Sequence, residues 1–103
     1  MSVLGKFWQT PTEKKRYYID YSEWLDTDNG EIITFVTFVA VPPPDNVPVV
    51  PVLFAPAIST SGQQVSVFIS GGDDLVNYKC LVTINTNAGQ IKDDEFFVNI
   101  KAL

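Results

Sequence analysis

Histidine is absent from this chain, cysteine occurs once, and the only methionine is the first residue. Without histidine, Ser-His and Cys-His nucleophilic catalysis have no base, and a zinc site is short of ligands. The lone Cys80 closes no internal disulfide, so no disulfide-stapled secreted framework is implied. Its place in mid-strand on an apolar face marks it as an inert core residue. No apolar run near the start reaches signal-peptide length, and none approaches the roughly 18 residues of a membrane span. The expectation is a protein made in a cytoplasm, with no membrane partner. Ser70-Gly71-Gly72 is followed by neither a Walker lysine nor a helix, so it is no phosphate loop. These absences predict a protein without enzymatic chemistry, cofactor or metal.

What is present suits strands. Hydrophobic residues make up 46% of the 103 and charged ones 18%, enough for one domain with a modest core. Phe and Tyr are frequent while Ala is sparse. The net charge of −5 is unevenly placed. Lys6, Lys14, Lys15 and Arg16 against Glu13 give residues 1–16 a local +3, and the rest of the chain carries −8. An acidic body repels nucleic acid, so none is expected as a partner. The basic stretch reads as a solvated tail, or as an arm that docks on the acidic body of a neighbouring subunit.

The chain is organised around its last third. Tyr78, Cys80, Val82 and Ile84 share one face, and Phe96, Val98, Ile100 and Ala102 share another, joined by a turn at Asn87-Ala88-Gly89. Period-two alternation of this length predicts two half-buried strands in a hairpin. Upstream, residues 1–15 read as an extended N-terminal arm, because Pro11 and the polar stretch after it disfavour regular structure; Phe7 and Trp8 need a surface to pack on. Residues 16–103 read as a single β-sandwich domain. Arg16 to Tyr21 is its first strand, followed by an inward turn at Trp24-Leu25 with Ser22 as a helical cap. Glu31 to Val41 is apolar on both faces and reads as a central strand, or as one with a face against a partner. Gln63 to Ser70 is a further strand.

Residues 42–56 hold six of the seven prolines. Proline lacks a donor and fixes φ, which predicts an irregular, Pro-rich excursion. Its apolar load (Val47, Val49, Val50, Val52, Leu53, Phe54) fits a loop folded over the core edge, or a protrusion buried in another subunit. Each large residue so buried contributes roughly 1.5–3 kcal/mol. The candidate partner interface is therefore Phe7, Trp8, Lys14, Lys15 and Arg16 with this apolar set.

Turns every 8–15 residues without a helical pattern predict an all-β, immunoglobulin-like antiparallel sandwich. Asp74, Tyr78 and Cys80 have the spacing of the tyrosine corner at the start of strand F in such domains. Trp24, Tyr78 and Cys80 are the expected structural residues. Asp73-Asp74 and Asp93-Asp94-Glu95 could meet across the sheet end and hold calcium, and Asp26, Asp28 and Glu31 around Asn29-Gly30 partly resemble a calcium loop without its full pattern; all read better as solvated turn acids.

Two stretches resemble a known family. Pro11, Tyr17-Tyr18-Ile19-Asp20-Tyr21 and Trp24-Leu25 are similar to the leader P…-DY-x-I-D-[WY]-S-x-W-L of small tailed-bacteriophage virion proteins. Val67 to Gly72 with Tyr78, Thr83, Thr86 and Gly89-Gln90 resembles their V-x-x-S-G-G…Y-x-V-x-x-x-I-x-T-x-x-G-R, and Phe96-Val98-Ile100 their F-x-[IV]-x-V ending. The resemblance spans residues 11–101 apart from the Pro-rich block. The usual arginine is replaced by Gln90, and a compact W-x-V strand with a short loop is replaced by Phe35 to Phe38 and the prolines. The resemblance implies a fibre, tail or fibre-to-tail adaptor component with an immunoglobulin-like domain and no catalytic residues. It further implies a place in the virion, contacts with other virion proteins, and self-association in a ring or array. A capsid decoration or head-fibre protein is an alternative. So is a carbohydrate-binding module using Trp8, Tyr17, Tyr18 and Phe97.

Overall fold

The structure is a computed structural model and describes residues 2–41 and 51–102. The described residues form strands β1 (Ser2–Gln9), β2 (Lys14–Asp20), β3 (Ile33–Val41), β4 (Val52–Ile58), β5 (Gln64–Ser70), β6 (Asn77–Thr86) and β7 (Ile91–Ile100), with a 3-10 turn at Thr27–Asn29. They make two sheets, β1-β7-β6-β3 and β2-β5-β4. Alternation decides what each strand buries. Val65, Val67 and Ile69 of β5 face Tyr78, Cys80, Val82 and Ile84 of β6 and Phe96, Val98 and Ile100 of β7, all buried. The core forms two clusters, and Ile19 and Phe38 pack against both, so it is continuous. The chain is an all-β two-sheet sandwich.

The closing hairpin pairs Tyr78 with Val98 and Cys80 with Phe96. Gly89 takes the positive φ its turn requires, at +83°. Asn87 ties this turn to the Asn29-Gly30 turn: its amide donates to the Gly30 carbonyl at 3.1 Å, and its side-chain oxygen accepts from the Ile32 N–H at 3.0 Å. Ala102 lies past the end of β7 and is exposed. The Tyr78 hydroxyl accepts from the Asp73 N–H at 2.8 Å, the upstream backbone bond expected of a tyrosine corner. Cys80 is buried, and burial pushes its thiol up to about 12. Trp24 packs on the core beside Tyr21, at 6.3 Å between ring centroids.

Several elements differ from the expectations. The N-terminal stretch is extended, but residues 2–9 run parallel to β7 as a sheet strand. The backbone groups of that segment find partners this way, and the edge of β7 is covered. The first strand of the second sheet begins at Lys14 instead of Arg16. The turn after it is a single helical turn, with Leu25 N–H donating to the Tyr21 carbonyl, but the Asp20 carboxylate receives the Ser22 N–H in place of a Ser22 cap. Among the described residues β3 is an edge strand, hydrogen-bonded to β6 alone. Its inner face carries buried Ile33 and Val36, and its outer face leaves Phe35 57% and Val39 55% exposed.

The Pro-rich block is divided. Residues 42–50, including Val47, Val49 and Val50, lie outside the described residues. Residues 52–58 form β4, which among the described residues is an edge strand paired only with β5. Pro56 is accommodated because an edge strand needs no donor on its open side. A register shift between Phe54 and Ala57, with Ala55 at φ +52°, absorbs it.

Asp94 is the largest surprise among the acids. β7 begins at Ile91, so the expected acidic turn is part of a strand in which Asp94 points inward and is fully buried. It accepts from the Tyr21 hydroxyl at 2.8 Å, and Lys92 Nζ stands 3.4 Å from its other oxygen. Burial, and then the bond to Asp94, push the Tyr21 phenol well above its usual value.

Glu31 is also buried. Its carboxylate accepts from the Asp26 N–H at 2.9 Å, the Thr86 hydroxyl at 2.7 Å and the Gln90 amide at 3.0 Å. These bonds, the Asp26 N–H foremost, hold its carboxyl below the ordinary range. A lowered folded pKa gives stability that is present above the unfolded value, about 4.3, and is lost as pH falls through the folded one. Glu31→Gln is therefore expected to lower stability at neutral pH and to flatten the loss below pH ~4.3. Denaturation midpoints taken across pH 2–6 check this; an acid limb identical to the parent's would count against it.

Candidate docking face

β2 points Lys14, Arg16 and Tyr18 away from the core and Tyr17 and Ile19 into it. Pairing with β5 sets Arg16 opposite Phe68, and pairing of β5 with β4 sets Phe68 opposite Phe54. The outer face of the three-stranded sheet thus carries a row Arg16–Phe68–Phe54, flanked by Lys14–Ser70–Val52.

The row is a stack. The rings of Phe54 and Phe68 lie 5.4 Å apart and 16° from parallel. The Arg16 guanidinium sits 4.5 Å from the Phe68 centroid and 5.8 Å from that of Tyr18, and donates to the Tyr18 hydroxyl at 2.8 Å. Lys14 Nζ lies 5.8 Å from the Phe54 centroid. Among the described residues neither cation has a carboxylate within ion-pair distance. Tyr18 and Val52 are 62% and 58% exposed. A cation on an aromatic ring contributes about 0.5–1 kcal/mol in water and about 2 when desolvated. Covering this face therefore strengthens it, provided the cover brings negative charge for the two cations.

The expected interface residues divide among three surfaces. Lys14, Arg16, Val52 and Phe54 converge on this face. Phe7 leans on the core, its ring 5.2 Å from Tyr17 and 6.0 Å from Phe96, yet stays 38% exposed, and Leu53 packs against the core. Lys15 pairs with Glu13 at 3.5 Å and donates to the Trp8 carbonyl. Trp8 is exposed on the outer face of the other sheet, where Phe97, Leu81 and Val39 also point. Phe68 completes the stack and was not among the expected interface residues, though the alternation of β5 puts it outside with Ser66 and Ser70. The aromatics considered for sugar binding do not form one platform: Tyr17 is inside, Tyr18 on one sheet, Trp8 and Phe97 on the other.

Two surface clefts flank β1. One of about 230 Å³ opens between β1 and β2, lined by Phe7, Tyr17, Tyr18, Ile19, Asp20 and Phe96; a more open one of about 520 Å³ lies beside Trp8, Gln9, Glu13 and Lys101. Among the described residues no three His, Cys, Asp or Glu side chains stand together as metal ligands. The turn acids are engaged separately: Asp26 with the Asn29 amide, Asp74 with the Ala102 N–H, and Asp93 with the Thr83 hydroxyl.

A sandwich with an exposed face for a protein neighbour is what an assembly component requires, and comparison with protein families agrees. The model of the family described as podophage GP4 fiber-tail adaptor protein gp77 matches residues 9–99. The chain belongs to this fibre–tail adaptor family. The match begins at the end of β1 and runs nearly to the end of β7, taking in the whole docking face. Membership makes the protein a bacteriophage structural adaptor that joins fibre and tail components and resides in the virion. No match is found among curated proteins.

Proposed function

We propose that the protein is a multi-copy, non-enzymatic adaptor built on an immunoglobulin-like sandwich, made in the host bacterial cytoplasm, that holds its virion neighbours through the outer face of β2-β5-β4. The observation that carries this is the pair of cations, Lys14 and Arg16, which have no carboxylate partner among the described residues and lie on the Phe54 and Phe68 rings in a chain of net charge −5. A surface of that kind selects an acidic protein partner with apolar contacts at its centre, as interfaces use arginine and aromatic anchors. Nucleic acid has no part in it, because the acidic remainder of the chain repels phosphate. The strand order and the Tyr78–Asp73 bond support the immunoglobulin-like reading.

The test is particle assembly with Lys14→Glu/Arg16→Glu protein in place of the parent. Both side chains are exposed, so the fold should be kept, as circular dichroism will show. The expected result is particles that fail to retain fibres. Normal fibre content would sink the assignment of this face.

A further inference from the structure

The chain itself carries an acidic surface that complements this face. The segment that follows β2 exposes Glu23, Asp26 and Asp28 at the opposite end of the sandwich from Lys14. None of the three is within ion-pair distance of a lysine or arginine among the described residues. Six residue steps of β2 at about 3.3 Å separate Lys14 from Asp20 by about 20 Å. That is beyond a Debye length of about 8 Å, so within one copy the two charges neither touch nor neutralise each other.

We infer that the Lys14/Arg16/Phe68/Phe54 face of one copy receives the Glu23–Asp28 segment of the next, a head-to-tail contact between copies. This rests on the proposed role of the face and adds the identity of its occupant. Charge complementarity carries it: a cation pair on aromatic rings and a loop of acids, each without an ion-pair partner among the described residues, sit on one chain at positions that only a second copy brings together. Beside the acids, Trp24 stands half-buried, and on the receiving face Val52 and Tyr18 are exposed apolar cover. The two surfaces differ, so the contact is heterologous. Such contacts propagate into a closed ring or an open filament, and a ring is the form suited to joining tail and fibre.

Sedimentation velocity of the full chain tests this, at low and high salt, with two variants. One is Lys14→Glu/Arg16→Glu; the other is Glu23→Lys/Asp26→Lys/Asp28→Lys. The parent is expected to associate at low salt and less so at high salt. Each variant alone should associate about tenfold more weakly or worse, the size expected from losing a few such contacts. An equimolar mixture of the two should associate again, because each supplies the native surface that the other has lost. A parent that stays monomeric at low salt overturns self-docking, as do variants that associate like the parent. If the parent is monomeric but the Lys14→Glu/Arg16→Glu protein still fails to retain fibres in particles, the face serves a different acidic virion protein and the proposed function stands. If those particles are normal as well, both fall.

Discussion

Gly72→Ala is expected to unfold on the order of 10–20 °C below the parent, whereas Gly71→Ala loses only about 4 °C. Both glycines have positive φ, +81° at Gly71 and +103° at Gly72, where an L side chain is strained. They differ in what surrounds them. A Cβ on Gly71 would meet open space. A Cβ on Gly72 would stand 2.9 Å from Ile100 Cγ1, 3.0 Å from Tyr78 Cε2 and 3.2 Å from Pro51 Cγ. Ile100 and Tyr78 are buried and cannot swing aside. Backbone strain of about 1–3 kcal/mol then adds to overpacking of about 1–3 kcal/mol, against a total stability of about 5–15. The Gly71 change carries the strain alone, at the low end of that range. Paired thermal unfolding curves decide it; equal losses at the two positions would mean that the packing of Gly72 against the Tyr78 ring is not what matters.

The same pair shows what the sequence made legible. Ser70-Gly71-Gly72 followed by Tyr78 was visible as a motif, and its physical sense is that the turn passes close enough to the tyrosine ring to exclude a methyl group. β2, β5, β6 and most of β7 were legible because each alternates with one face buried. β1 and β4 were not. The parallel pairing of β1 with β7 joins segments about ninety residues apart and leaves no local pattern, and the prolines of residues 42–56 concealed a strand that tolerates Pro56 only because it lies at an edge. The inward turn of Asp94 was masked by its neighbours: Asp93 and Glu95 do face outward, and three acids in a row read as a loop. The docking face depends on two registers at once, Arg16 on Phe68 and Phe68 on Phe54, and no local pattern in the sequence carries either. Gln90 gains a meaning as well: its amide donates to the Glu31 carboxylate at 3.0 Å, and an arginine in that place would add a full positive charge to the bond.

Truncating Phe96 is expected to destabilise the protein by about 3–5 kcal/mol, and to loosen β1 before the rest. Phe96 is 1% exposed and faces rings from three other strands. Its centroid lies 6.0 Å from that of Phe7 on β1, 6.4 Å from Tyr17 on β2 and 6.5 Å from Phe38 on β3. Two of these contacts are edge-on, the geometry that adds about 0.5–1.5 kcal/mol per pair beyond burial. β1 depends on this ring most. Its anchors are the backbone ladder to β7, the Phe7 contacts with Tyr17 and Phe96, and Gln9, which donates to the Glu13 and Ile69 carbonyls and accepts from the Tyr17 hydroxyl. Phe96→Ala removes one side of the Phe7 seat and opens the adjacent cleft between β1 and β2 into a larger void. Phe96→Leu keeps much of the volume but gives up the ring contacts, and should lose less than Phe96→Ala. Native-state hydrogen exchange separates local from global effects. In Phe96→Ala, amides of β1 should lose more protection than those of β4, whose Phe54 ring stacks on Phe68 on the other face of its sheet. Equal losses in both strands would show that Phe96 only adds to global stability and does not hold the N-terminal strand in place.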